Sequence, residues 1–361
     1  MHHVLLLVLA FAMLVVGAEY FTNAIEWLGR RLKLSDSATG SLLAAVGTAM
    51  PETLVPIVAI FFSDGGEASH EVGIGGILGA PFMLSTLAML VIATALWAYR
   101  RRRTTQLLFN SETAASDLTF FLIAYSCAFA AALIPESMMV VRWIIAVSLI
   151  PLYMLYMKRL LKTTAEPSDE ELGPLHIIAH LPERALPFEN WAANPGLGSI
   201  VFQVVLALTL IIVGARIFVG EVEVIAEVIG LAPLVLSLLI TPVATELPEK
   251  LNSVIWIGRR KDTLAFGNIS GALVFQSAIP VTIGILFTEW HLSLNPTDPT
   301  FLPALSCVLA LLSGAFLLFF VRRNDTLRIP HLLVSGSLYL VFVAAVVLTL
   351  SSGGGTSTPA H

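Results

Sequence analysis

The chain has 361 residues, 57% of them hydrophobic and only 12% charged, with a mean hydropathy of +0.85. A soluble domain carries about 25% charged residues, so this composition excludes a water-soluble globular protein and indicates a polytopic membrane protein. The formal net charge of −5 then says little about partners; what matters is the side of the membrane on which the basic residues fall.

A spanning helix needs about 20 mostly apolar residues. Ten such stretches follow in order: 4–27, 38–62, 73–98, 116–134, 139–158, 199–219, 229–257, 264–288, 301–321 and 330–350. The first has no Lys or Arg before it and no small-residue cleavage site after it, so it reads as a span and not a removable signal. The loop after span two, Ser63 to Glu67, is acidic and glycine-rich, and Arg100 to Arg103 open the loop after span three. The long polar stretch 161–197 divides the chain into halves of five spans each, and 351–361 reads as a disordered tail. The expected organisation is therefore 1–160, a first repeat of spans one to five; 161–197, a cytoplasmic loop; and 198–350, a second repeat of spans six to ten. His176 and His180 have ligand-like spacing in that loop, but spacing fixes no acidic partner, and a surface helix accounts for them. Cys127 and Cys307 both lie inside apolar runs and read as packing residues.

Basic residues fix the orientation. Arg30, Arg31 and Lys33 follow span one, and Arg100 to Arg103 follow span three. Lys158, Arg159 and Lys162 follow span five, with Arg184 in the central loop. Arg259, Arg260 and Lys261 follow span seven, and Arg322, Arg323 and Arg328 follow span nine. With ten spans, 17 of the 20 Lys and Arg thus lie on one side; Arg142, Arg216 and Lys250 fall within spans. The loops after the even-numbered spans contain no Lys or Arg. The positive-inside rule makes the arginine side cytoplasmic and puts both termini outside. Five spans per half place the halves in opposite orientations, so a repeat between them is inverted.

Such a repeat is present. Thr48, Pro51 and Glu52 recur as Thr245, Pro248 and Glu249, each shifted by 197 residues. The same shift maps Gly17, Ala18 and Phe21 onto Gly214, Ala215 and Phe218, and Leu42 and Leu43 onto Leu239 and Ile240. Glu19 and Arg216 are also matched, and both read as snorkelling or structurally paired. Each Pro-Glu sits in an apolar run, where a carboxylate costs ~3 kcal/mol at the bilayer centre and marks a functional place. The preceding proline interrupts the helix, and the carbonyls released are tolerable only where they line an enclosed site. Thr48 and Glu52 are four apart, as are Thr245 and Glu249, so each pair is expected on one helical face. Hydroxyl and carboxylate oxygens are hard ligands suited to Na⁺, Ca²⁺ or Mg²⁺. Glu246 and Lys250, also four apart, read either as part of the site or as a structural ion pair.

These phrases resemble the cation/Ca²⁺ exchanger superfamily, nearest to the sodium/calcium exchanger membrane domain, with its Gly-Thr-Ser-x-Pro-Glu and Gly-Asn-x-x-Gly-Ser-Asn-x-Phe-Asn/Asp motifs. Gly47-Thr48-Ala49-Met50-Pro51-Glu52 keeps all of the first but the serine. The stretch Gly267 to Gln276 keeps the Gly-Asn, the second Gly and the Phe, whereas Gly75 to Leu84 keeps little beyond glycines. The resemblance implies that Glu52, Glu249, Thr48, Thr245 and Gln276 ligate the cation, with Glu246 as an added acid. Ala80 and Ala272 stand where the family has ligand serines, and Lys250 follows Glu249 directly. Gln276 is similar to the H⁺-coupled exchangers of the superfamily.

The expectation is an all-α membrane protein: ten transmembrane helices forming two inverted five-helix repeats. It is expected in the plasma (inner) membrane as a secondary antiporter exchanging a divalent cation, Ca²⁺ first, against Na⁺ or H⁺. Its partners are inorganic cations and the lipid bilayer, with no cofactor and no nucleic acid. The competing class is a diverged transporter of the same fold carrying protons or another solute. An enzyme reading finds no His-Glu-x-x-His or Gly-x-Ser-x-Gly phrase. The topology has a direct test. A cysteine replacing Gly65 labels with an impermeant thiol reagent from outside, and one replacing Thr104 labels only from inside; labelling of both from one side rules out the inverted arrangement.

Overall fold

A computed structural model describes residues 2–31, 50–63, 66–101, 104–163, 173–179 and 195–351. The helices are α1 (His2–Arg31), α2 (Met50–Phe61), α3 (Glu67–Ser85), α4 (Leu87–Ala98), α5 (Ser111–Leu133), α6 (Met139–Thr163) and α7 (His176–Ala179). They continue as α8 (Leu197–Ile229), α9 (Pro233–Thr245), α10 (Leu247–Gly258), α11 (Asp262–Phe287), α12 (Phe301–Asn324) and α13 (Ile329–Ser351). Two three-residue strands, β1 (Gln106–Leu108) and β2 (Thr326–Arg328), pair antiparallel with Leu107 opposite Leu327.

Among the described residues, eight helices or continuous helical runs are long and apolar enough to cross a membrane; α2 and α9 are shorter apolar helices. Two of the ten expected spans, two and seven, fall short of that length among the described residues. Span seven, expected as one helix over 229–257, is two helices that meet at Glu246. The described part of span two begins at Met50, so Thr48, Leu42 and Leu43 lie outside the described residues, as does most of 161–197 and all of the tail from Ser352. Span six is longer than expected, 197–229 in place of 199–219, and ends on Gly230 with φ 70°, a left-handed stop that glycine adopts without a Cβ penalty. Span three starts earlier, at Glu67, and is interrupted at Thr86, five residues after Pro81; the Thr86 amide and hydroxyl both bond to Phe82 O.

α3 sits at the centre. Every residue from Val72 to Ser85 is buried, as expected for a helix that is apolar all round. It packs against α2, α9, α11 and α12. Glycine permits the tightest of these approaches: a Cβ on Gly75 would stand 2.3 Å from Leu234 O, and one on Gly79 2.4 Å from Leu238 O, both backbone atoms of α9. α1 and α8 pack mainly on each other and share an apolar cluster with Val55, Val58 and Ala59 of α2, Val72 of α3 and Leu236 of α9. They cross at Gly17 and Gly214, the glycines matched by the repeat. A Cβ on Gly17 would meet Ala207 O and Ile211, and one on Gly214 would meet Ala10 O and the Leu14 amide. Subtracting 197 from 207 and 211 gives 10 and 14, so the contact is reciprocal, as a local two-fold axis requires.

Contacts between loops obey the parity of the spans. β1 follows span three and β2 follows span nine, and Asp262, after span seven, accepts a bond from the Leu108 amide at 2.9 Å. The segment after span five docks on the end of span one through Trp27 Nε1 to Gly173 O, 3.0 Å, and the His176 amide to Asn23 Oδ1, 3.0 Å. His176 Nε2 also lies 3.5 Å from Glu19 Oε1, an acidic partner that spacing did not give. On the even side, Ser69 near the start of α3 bonds Glu223 near the end of α8, and the Leu292 amide after span eight bonds Ala132 O at the end of span four. Cys127 and Cys307 are free thiols, Cys307 buried beside Tyr125.

The close approach at Gly79 generates a stability prediction. Gly79→Ala forces a shift of α9 backbone and is expected to destabilise by roughly 1–3 kcal/mol. It is read as a lower midpoint in thermal melts of detergent-solubilised protein, whereas an exposed substitution such as Glu67→Ala leaves the midpoint unchanged.

Candidate ion-binding site

Proline chemistry builds the centre. In α10 the order is Leu247, Pro248, Glu249, which places the proline in the first turn, where its missing N–H has no intrahelical partner to lose. Glu249 is therefore the third residue of its helix, where the amide dipoles favour a negative charge. The described part of α2 opens with the matching Met50, Pro51 and Glu52. Both glutamates are buried, Glu52 at 3% exposure and Glu249 at 2%.

The break also changes the expected geometry. Thr245 is the last residue of α9 and Glu249 lies in the first turn of α10, so a one-residue break at Glu246 stands between them in place of one continuous helix. Thr245 Oγ1 donates back to Thr241 O at 3.0 Å. Glu246, at the junction with φ −91° and ψ 8°, is 1% exposed and pairs through Oε2 with Lys250 Nζ at 2.5 Å. The same ammonium reaches Pro242 O at 3.3 Å, a carbonyl that also accepts the Glu246 amide at 3.1 Å. The ion pair anticipated from spacing is thus present, and Glu246 Oε1 has no hydrogen-bond partner.

Around Glu52 the charged groups are Glu249, Glu246 and Lys250, which places residues from both halves of the chain in one neighbourhood. Glu52 Oε2 accepts no hydrogen bond. Gln276, from α11, is 1% exposed with Oε1 likewise unpartnered. Buried acceptors of this kind cost about 1–3 kcal/mol each when nothing satisfies them; here three of them come from α2, the α9–α10 junction and α11. No three Asp, Glu, His or Cys side chains among the described residues are grouped closely enough to hold a metal by themselves. Thr48 lies outside the described residues, so its part in the site is not placed. The expected residues Glu52, Glu249, Glu246, Thr245 and Gln276 are all buried.

Sequence reasoning missed the hydroxyl pair beside the site. Ser237 Oγ lies 2.8 Å from Thr241 Oγ1 and 2.6 Å from Val72 O of α3. Two hydroxyls four apart inside an apolar span were the available signal. Asn268, part of the Gly-Asn phrase, donates from Nδ2 to Glu249 O at 3.3 Å and ties α11 to the start of α10.

The family described as "Sodium/calcium exchanger protein" matches residues 2–161 and 199–348. A protein named antiporter CaxA, from Alkalimonas amylolytica, is 24% identical over 332 residues, covering 91% of this chain and 95% of that one. The inner membrane protein YrbG of Escherichia coli is 22% identical over 319 residues, covering 88% and 89%. Among solved structures, an H⁺/Ca²⁺ exchanger CAX superposes with a TM-score of 0.70 at 15% identity, covering 98% of this chain and 85% of that one. The sodium-calcium exchanger NCX_Mj gives 0.57 at 17% identity, covering 95% and 98%. At these identities the superpositions establish a shared fold.

The buried pair is testable without any transport assay. Lys250→Met strands Glu246 and is expected to cost roughly 3–5 kcal/mol, whereas the double variant Lys250→Met/Glu246→Gln recovers most of that loss. Thermal melts of the single and double variants decide it: equal midpoints for the two would show that the pair contributes no coupling.

Proposed function

This chain belongs to the sodium/calcium exchanger protein family, and we propose that it is a secondary antiporter exchanging a divalent cation, Ca²⁺, against H⁺ or Na⁺ by alternating access. The observation that carries this reading is the convergence of Glu52 and Glu249, one from each half, both buried and both following a proline. A divalent ion at the midplane loses most of its hydration shell, and only negative ligands replace that shell at acceptable cost. With Glu246 neutralised by Lys250, the remaining formal charge is that of Glu52 and Glu249, −1 and −1, which matches one divalent cation or two protons. Gln276, Thr245, Thr48 and Glu246 complete the ligand set in this reading.

The architecture proposed is ten spans in two inverted five-helix repeats in the plasma membrane, with the arginine side cytoplasmic and both termini outside. The reciprocal crossing at Gly17 and Gly214, and the strict parity of loop contacts, support it. α1 and α8, joined mainly to each other, would slide as a pair against the core built on α3 and α11.

Protons are favoured over Na⁺ as the coupling ion. Na⁺ depends on several neutral oxygens, and the serines that would supply two of them are replaced by Ala80 and Ala272. Proteoliposomes loaded for ⁴⁵Ca²⁺ counterflow test the reading. Uptake is expected to follow an imposed pH gradient more steeply than an imposed Na⁺ gradient. Glu52→Gln and Glu249→Gln are each expected to abolish it while the protein stays folded in the membrane. Wild-type rates in both variants would place the ion site elsewhere, and uptake driven by Na⁺ but indifferent to pH would reassign the coupling ion.

A further inference from the structure

A second buried carboxylate stands outside this centre. Asp117, in α5, is 2% exposed. Its Oδ2 accepts a bond from Ser270 Oγ of α11 at 2.6 Å, the Tyr156 phenol of α6 lies against the same carboxyl, and Oδ1 accepts no hydrogen bond of normal geometry. Asp117 lines a cavity of about 580 Å³ whose other lining groups include Glu112, Ser116, Tyr156, Arg159 and Arg322. Arg159 and Arg322 belong to the clusters after spans five and nine, so the cavity lies on the arginine side.

The chemistry of this place selects its ligand. A divalent cation takes six to eight oxygens, and one carboxylate with one hydroxyl and one phenol falls well short of that. Two guanidinium groups line the same cavity and repel metal cations. A proton needs only one carboxylate oxygen and reaches it through water. An acid buried within a span is itself a strong functional indicator. The charged and titratable groups facing Asp117 are Glu112 on its own helix, Tyr156 and Arg159 from α6 with Tyr153 behind Tyr156, and Arg322 from α12; α11 contributes the Ser270 hydroxyl.

We propose that Asp117 is a proton-binding site separate from the Glu52–Glu249 centre, filled from the arginine-side cavity and coupled to α11 through Ser270. Ionised, the carboxylate accepts the Ser270 hydroxyl. Once it takes a proton from cavity water it becomes a donor itself, and the Ser270 bond weakens or reverses. Ser270 lies two residues from Asn268, which holds the Glu249 carbonyl, and α11 also carries Gln276. The proton at Asp117 thus bears on the helix that spans both places. Its consequence for transport rests on the exchange reading above; the protonation itself does not.

Infrared difference spectroscopy of the full chain in liposomes, titrated over pH, reads the site directly. A carboxylic-acid carbonyl band that is lost on raising the pH is expected in the wild type, absent in Asp117→Asn and displaced in Asp117→Glu. A pH-dependent band spectrum identical in the wild type and both variants overturns the proposal, whatever ion the protein carries. Where Asp117→Asn fails to fold, Asp117→Glu supplies the displaced band. In ⁴⁵Ca²⁺ uptake by proteoliposomes, Asp117→Asn is expected to reduce the response to arginine-side pH at least tenfold while uptake persists. A merely structural Asp117 would lower the rate equally at every pH, and that outcome also overturns the coupling to α11.

Discussion

A carboxylate in the interior of a membrane protein must be compensated locally, and the structure depends on how that is done. Insertion costs ~3 kcal/mol for such a charge. A helix N-terminus returns 0.3–1 kcal/mol at exposed sites and up to ~2 kcal/mol where partly buried. Glu249 receives that help only because the helix restarts just before it. In an unbroken span it would sit mid-helix, where amide dipoles cancel. The proline therefore does more than kink the chain: it creates the terminus that makes the neighbouring acid tolerable.

The remainder of the core is arranged to bring that junction against other elements. α3 can approach α9 closely because Gly75 and Gly79 face the Leu234 and Leu238 carbonyls. That approach sets Ser237 and Thr241 against α3 and fixes α9 up to its end at Thr245. On the other side α11 is held to α10 by Asn268 and to α5 by Ser270. α1 and α8 pack mainly on each other, and their paired glycines, like those of α3, lie against the partner helix's backbone.

Much of this was legible in the sequence because it rests on periodicities that survive divergence. A constant offset of 197 picked out Gly17 with Gly214, to which the structure gives reciprocal surroundings, and Glu52 with Glu249, which it buries in one neighbourhood. Spacing also suggested the Glu246–Lys250 pair, since residues four apart meet on a helix. What spacing did not show was the one-residue break at Glu246 between Thr245 and Glu249. Tertiary partners were out of reach: nothing local announces that Ser270 will meet Asp117 across 153 residues, or His176 meet Glu19. Helix ends were also misjudged where charge density misled, as in span six, which runs on through Glu221, Glu223 and Glu227 to Gly230.

The two halves are equivalent at their glutamates and unequal beside them. Subtracting 197 from Glu246 and Lys250 gives Ala49 and Thr53, so the ion pair exists in the second copy alone. There the lysine contacts both the Glu246 carboxylate and the Pro242 carbonyl, bridging from α9 to α10 over the break. In the first copy a threonine holds the lysine's place, and its side chain is too short to bridge a turn in that way. The junction in the second half is thereby stapled by a charged contact in a low-dielectric setting, where such contacts are strong. The Glu246–Lys250 contact therefore distinguishes the second copy of the phrase from the first, and the likeness between the two copies stops at their glutamates.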